Sequence, residues 1–311
     1  MSIIIGALQN AILAGGVLAF AGMGGLLCER VGILNLGLEG LMAIGAITAI
    51  AGALATNSAA GGLLLALLVG CGLGILFAAA TVLVKVNQAL CSLALTIGCT
   101  GVANAIGRNF TGLPISSVFQ PFPIPALRNI PVLGPILFEQ NVLVYVVYLG
   151  LPCLLHLLYF NTRHGLNVRA VGESPSAAEA SGVPVTVIRL VYVVGGCAIA
   201  AASGAYLTLA YIPSWSEGMT SGRGWIAIAL VIVSRHRPLN IAAGGLTFGF
   251  ITALGFTSQA QNWGLSPTLL SILPYMATIA SMLLPPRRLR TSRRSAPPAA
   301  LGRPYFREGR F

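Results

Sequence analysis

Residues 187–211 read VIRLVYVVGGCAIAAASGAYLTLAY, a run with one arginine and a centre rich in glycine and alanine. As a helix it is long enough to cross the ~30 Å hydrocarbon core of a bilayer, which takes about 20 apolar residues. It lacks the apolar–polar alternation that a membrane β-barrel requires. Lipid offers an unpaired backbone group no partner, so a helix is the conformation left. The small residues from Ala198 to Gly204 (AIAAASG) let a second helix backbone come close, which marks a packed bundle and not an isolated anchor.

Eight more apolar segments flank this one, at about 3–27, 32–54, 60–84, 88–107, 140–160, 219–234, 240–258 and 267–285. Small residues recur inside them, as at Gly15-Gly16, Gly22 and Gly24-Gly25. The pattern predicts an all-α, polytopic transmembrane helix bundle of about nine spans, with eight to ten possible. The weakest is 219–234, whose apolar core runs only about 13 residues from Gly222; short segments of this kind can be re-entrant in transporters. Residues 1–285 are expected to form the transmembrane domain, with 161–186 as its longest inner connection. Residues 108–138 read as a proline-rich outer loop, and 286–311 as a disordered basic tail on the cytoplasmic side.

Composition agrees. Apolar residues make up 56% of the chain and charged residues 8%, against roughly 25% charge in soluble domains. So little charge cannot solvate a globular surface. The net charge of +11 comes from seventeen Arg, one Lys (Lys85) and seven Glu, with no Asp. A basic stripe on a soluble domain would point to nucleic acid. No such domain is present, so no nucleic-acid partner is expected, and the basic residues mark membrane sidedness instead.

With the N-terminus outside, the inner side carries Arg30, Lys85, Arg163, Arg169, Arg189, Arg235, Arg237 and the eight arginines after residue 286. The outer side carries only Arg108, Arg128 and Arg223. This imbalance predicts an N-out, C-in topology. A re-entrant 219–234 would place the arginine-rich tail outside, against that count. The tail is expected to favour anionic lipid by about 1 kcal/mol per basic residue near the surface. The N-terminus lacks a basic n-region, so Ile3 onward is expected to be a retained span.

Catalytic and metal chemistry find little support. The six cysteines (Cys28, Cys71, Cys91, Cys99, Cys153, Cys197) lie in or beside apolar stretches without a CxxC pair, as small buried hydrophobes do. No Asp exists for a Ser-His-Asp triad, His156 has no neighbouring acid, and neither an HExxH nor a paired-carboxylate motif occurs. The sole lysine stands between Val84 and Val86, so there is no Gly-x4-Gly-Lys-Ser/Thr loop for ATP. No catalytic residue, metal or cofactor is expected.

Glu39 is the one acid well inside an expected span, roughly 10 Å from its start at the helical rise. An acid at mid-bilayer costs about 2.5–3.5 kcal/mol on insertion scales, so it faces a cavity or finds a partner. Two structural roles come first: capping a glycine-broken helix, or pairing with Arg30. Contact with a solute, or a gate, comes next. Asn35, Asn104, Tyr206 and Trp225 join Glu39 as candidates for lining a path for a planar, hydrogen-bonding solute. Each alone also fits interhelical glue. Trp215 and Trp263, near the outer ends of spans, fit an interfacial aromatic belt better than a path.

The inner connection reads RHGLNVRAVGESPSAAEASGVP from Arg163 to Pro184. Pro175 before Ser-Ala-Ala-Glu179 is a helix start, and Gly182 followed by Pro184 a helix stop. A short helix with a small-residue face is therefore expected here. It is either an ordinary loop helix or an element that fits a groove on another protein. The stretch from Arg169-Ala-Val-Gly172-Glu173 through Pro175, Ala178, Glu179 and Gly182 resembles the cytoplasmic coupling loop of ABC importer permeases that serve ribose-type sugars, branched-chain amino acids and nucleosides. Three further stretches resemble the nucleoside branch: Glu29-Arg30-Val-Gly32 through Asn35, Gly37, Glu39 and Gly40; Gly222-Arg-Gly224-Trp225 through Ile232; and Arg235-His-Arg237-Pro238-Leu. The resemblance covers about residues 7–285, with Ser174 where Asn is usual, Val183 where Ile is usual and Ser234 where Gly is common.

The resemblance implies a permease subunit in a bacterial cytoplasmic membrane that translocates a small polar solute. Nucleosides or purine-like compounds come first, riboflavin next and simple sugars third. It implies a partner ATPase carrying the P-loop, a second related permease completing the pore, and an extracytoplasmic solute-binding protein. In such a machine Arg169, Gly172, Glu173, Pro175, Ala178, Glu179 and Gly182 would transmit ATPase closure to the bundle. The alternative is a stand-alone ion-coupled secondary transporter, for which Glu39 would be the coupling acid.

Overall fold

The computed structural model describes residues 2–113, 115, 117–125, 127, 130, 131, 133–261, 272, 273, 275, 276, 279, 280, 283 and 297–306. Among these residues the regular structure is helical, with one isolated bridge between Pro121 and Asn141. The helices are α1 (Ser2–Arg30), α2 (Leu38–Thr56), α3 (Ala59–Ala78), α4 (Gln88–Gly107), α5 (Leu133–Phe138), α6 (Val142–Tyr145), α7 (Leu151–Asn161), α8 (Arg163–Glu173), α9 (Pro175–Ala180), α10 (Val185–Tyr206), α11 (Arg223–Val233) and α12 (Pro238–Ala260). π-Helical turns extend α3 through Leu83, join α6 to α7, and extend α10 through Tyr211.

Among the described residues, seven helical stretches are long and apolar enough to cross a membrane: Ile5–Arg30, Leu38–Thr56, Ala59–Leu83, Gln88–Phe110, Val142–Asn161, Val185–Tyr211 and Pro238–Gln259. Each coincides with an expected span. Two expected spans do not add to this count. The segment 219–234 holds only the short α11, because the chain is still in turns through Gly222. The segment 267–285 falls largely outside the described residues.

The bundle is built around α1, whose span is 94% buried, with α12, α10 and α11 against it and α2 packed on α10. Small residues permit these contacts. A Cβ on Gly24 of α1 would come within 2.6 Å of the Gly196 carbonyl oxygen and 2.7 Å of the Ala200 nitrogen, both in α10. By contrast only 17% of the span built on α4 and 28% of that built on α3 are buried. Leu64, Leu68, Leu76, Leu90 and Ile97 therefore face outward, as residues meeting lipid or another membrane protein do.

The second span starts later than its apolar pattern suggests. Gly32 turns the chain with φ +82, residues 33–36 run without regular structure, and α2 begins at Leu38. The Leu38 side chain packs beside Gly25, five residues before the end of α1. The first turn of α2 therefore opens roughly 8 Å inside the bundle. The proline-rich segment is likewise tied down: Phe119 N–H donates to the Leu209 carbonyl (2.9 Å) and Phe122 N–H to that of Gln140 (3.0 Å). Trp215 packs over Gly107 at 4% exposure. A buried tryptophan is no part of an interfacial belt, contrary to expectation; Trp263 lies outside the described residues.

Candidate functional site

Two places gather the residues singled out above. The first is the start of α2 inside the bundle. Glu39 lies in the first turn of α2 at 8% exposure. Its Oε1 accepts the Gly222 N–H at 2.8 Å and its Oε2 the Gly224 N–H at 2.6 Å. Both donors belong to the start of α11, so the carboxylate caps that helix. Glycine is needed at both positions. Gly222 has φ +75, and a Cβ on Gly224 would lie 2.5 Å from the Glu39 Cα.

Charge-assisted hydrogen bonds contribute about 1.5–3 kcal/mol each, and a carboxylate at a helix N-terminus gains a further 0.3–1 kcal/mol or so. Together these offset the cost of an acid held away from water. Arg30 does not pair with Glu39. Its guanidinium donates to the His236 carbonyl instead.

The other path candidates are spread out. Trp225 follows the cap directly, 42% exposed on α11. Asn35 is buried in the linker before α2; its Oδ1 accepts the Gly37 N–H at 2.8 Å, and its Nδ2 faces the sulfurs of Cys197 (3.6 Å) and Cys28 (3.7 Å). Tyr206 is buried in α10, edge-on to Phe20, with its hydroxyl against Gly16 and no hydrogen-bond partner. Asn104 is half-buried on α4. Glu39 and Trp225 thus stand at one helix junction, Asn35 lies in the chain leading to it, and Tyr206 and Asn104 stand on other helices.

The second place is the loop at the end of α1. Thr162 Oγ1 caps α8 by accepting the Gly165 N–H (2.9 Å), and Ser174 Oγ caps α9 by accepting that of Ala177 (3.4 Å). Pro175 occupies the first position of α9. Gly182, at φ +83, ends it, with its N–H on the Glu179 carbonyl (2.9 Å) and the Val183 N–H on that of Ala178 (3.0 Å). Ala178 is 3% exposed and anchors the helix, while Ser176, Ala177, Ala180 and Ser181 are exposed on it and just beyond it. Arg169 spans α8, its Nε on the Gly165 carbonyl (3.3 Å) and its guanidinium 5.5 Å from the Phe160 ring centre. Gly172 is buried against Arg30, and Glu173 ends α8 exposed.

Sequence reasoning did not anticipate three buried arrangements at this end. Glu29 Oε2 and His236 Nε2 lie 2.6 Å apart, with both side chains nearly inaccessible. Arg189, assigned from sequence only to the inner side, is 2% exposed and donates from Nε to the Val31 carbonyl (3.1 Å). Gln88 Oε1 accepts the Leu34 N–H (2.7 Å) and so fixes the chain leading into α2. Glu29 and His236 stand in two of the stretches quoted for the resemblance, but no spacing rule in the sequence pairs them.

Comparison with known proteins follows the same lines. A family model described as branched-chain amino acid transport system / permease component matches residues 7–282. The chain is 35% identical, over 99% of both chains, to a putative glucose ABC transporter permease protein, TsgC13, of Haloferax volcanii. It is 30% identical to the nucleoside ABC transporter permease protein NupC of Lactococcus lactis, over 88% of this chain and 90% of that one. It is 28% identical to the guanosine ABC transporter permease protein NupQ of Bacillus subtilis, over 85% and 87%. No solved structure matches.

Proposed function

Because this chain belongs to the branched-chain amino acid transport system / permease component family, we propose that it carries a nucleoside or purine-like solute inward, driven by an ATPase through residues 169–182. It is a multi-pass inner-membrane permease subunit and not itself an enzyme. The family implies an ATPase partner and a solute-binding protein. A second permease completing the pore is part of the proposal.

The observation that carries the coupling role is α9. It is a short helix closed at both ends by its own caps, held by the buried Ala178 and offering small side chains outward. Such a face fits closely into a groove. Glu39 supports an ATP-driven mechanism over ion coupling, since both its oxygens are already engaged by backbone donors. The solute class rests on the stretches around Glu39, Gly222 and Arg235, and on the two nucleoside relatives.

A sugar is the second reading, carried by the relative named for glucose. Uptake of labelled guanosine, adenosine, glucose and riboflavin by cells with and without the chain separates these. Guanosine or adenosine uptake that needs the chain and stops with vanadate is the expected result. Glucose uptake alone would move the solute to the sugars, and uptake that survives ATP depletion would sink the ATP-driven reading.

A further inference from the structure

Residues 297–306 (PPAALGRPYF) lie within the stretch read from sequence as a disordered basic tail, yet they run along the loop that carries α8 and α9. Their contacts fall into two sets. One set reaches the loop: the Ala300 N–H donates to the Gly172 carbonyl (3.0 Å), the Ala299 N–H lies 3.4 Å from Glu173 Oε2, and the Tyr305 hydroxyl donates to the Glu179 carboxylate. The other set reaches the ends of three spans. The Gly302 N–H donates to the Gly32 carbonyl after α1 (3.2 Å), and Gln88 Nε2 at the start of α4 donates to the Arg303 carbonyl (3.5 Å). Arg189 of α10 lies 5.8 Å from the Tyr305 ring centre. Lys85, just before α4, lies 4.5 Å from that of Phe306.

We propose that residues 297–306 form a strap that holds α9 in the position from which it engages the ATPase, and that ties its displacement to α1, α4 and α10. This rests on the coupling role proposed above for residues 169–182. Three features set these contacts apart from incidental packing. Both acids of the loop, Glu173 and Glu179, are engaged by the strap. Its two aromatic rings each meet a cation from the span ends, a contact that adds attraction beyond simple burial. The backbone also comes close at two glycines: a Cβ on Gly172 would lie 3.2 Å from the Pro298 Cβ, and one on Gly32 would lie 3.2 Å from the Ala300 carbonyl oxygen. The strap leaves Ser176, Ala177, Ala180 and Ser181 exposed, so the partner-facing side of α9 stays open.

The test uses a chain ending at residue 296 and, in the full-length chain, Tyr305→Phe combined with Phe306→Ala. Hydrogen exchange is followed across 172–182 in the purified permease, with 10–28 in α1 as the control for folding. The ATPase retained on purification is measured in parallel. In both variants exchange across 172–182 is expected to accelerate about tenfold while α1 stays protected, and the retained ATPase is expected to fall at least fivefold or so. Exchange at the wild-type rate overturns the strap. Faster exchange with full ATPase retention reduces it to a local tie and overturns its role in engagement. Greater ATPase retention makes it a brake and overturns the proposal too. Replacing 175–182 by a Gly/Ser linker asks the separate question: if the ATPase stays bound, the coupling reading of the loop fails whatever the strap does.

Discussion

Glu29 and His236 share a 2.6 Å hydrogen bond at the end of α1, although they stand 207 residues apart in the chain. Neither side chain is more than 3% exposed. Removing one partner strands the other in a low-dielectric site, which costs about 1–3 kcal/mol for a polar group and more for a charged one. Glu29→Ala and His236→Ala are each expected to destabilise the purified permease by about 2–4 kcal/mol. The double variant is expected to lose less than the sum, with a coupling of about 1–3 kcal/mol. Unfolding in detergent measures all three, and additive losses would show that the pair is not a unit.

The cap on α11 makes a second prediction. Glu39→Gln keeps the size but exchanges one acceptor for a donor, so one of the Gly222 and Gly224 N–H groups loses its partner. A loss of about 1.5–3 kcal/mol at the start of α11 is expected, with faster hydrogen exchange over 222–226 and weaker uptake. Gly224→Ala is expected to do at least as much harm, because its Cβ would meet the Glu39 backbone. Wild-type uptake by Glu39→Gln would remove Glu39 from any part in transport.

At α9 the caps can be separated from the face. Ser174→Ala removes the hydroxyl that accepts the Ala177 N–H and is expected to cost about 1 kcal/mol. Ser174→Asn is expected to be neutral, since the two residues cap equally well. Gly182→Val places a branched side chain at φ +83 and is expected to cost more than Ser174→Ala. ATPase retention that follows this order would tie engagement to the ordered helix; equal retention in all three would not.

Sidedness is open to chemical labelling. With Cys153 replaced by Ser, Asn57→Cys between α2 and α3 is expected to react with a membrane-impermeant maleimide in intact cells. Ser181→Cys beyond α9 is expected to react only after permeabilisation. The reverse pattern would overturn the N-out, C-in reading that the arginine imbalance supports.

Much of this molecule was legible along the chain. The seven full-length helices fall on segments marked by apolar length alone, because lipid leaves the backbone no conformation but the helix. The ends of α9 were equally clear, since Pro175 and Gly182 act through local backbone geometry. The short α11 was signalled too, by an apolar core of only about 13 residues from Gly222. Local signals stop there: the capping of α11 and the late start of α2 go with Glu39 meeting Gly222 and Gly224, which lie more than 180 residues away. A hydropathy pattern cannot tell a full span from one whose first turns are unwound and capped from afar.

The sequence by itself determined a helical membrane bundle, its main spans and the position of a short capped helix in one connecting loop, because each follows from near-neighbour chemistry and bilayer thickness. Only the tertiary structure decided which buried charges have partners and what residues 297–306 do. Glu39 caps a distant helix, Glu29 meets His236, and residues 297–306 fold back on Gly172, Glu173 and Glu179. Those outcomes depend on the close approach of chain segments far apart in sequence, which becomes definite only when the helices have packed.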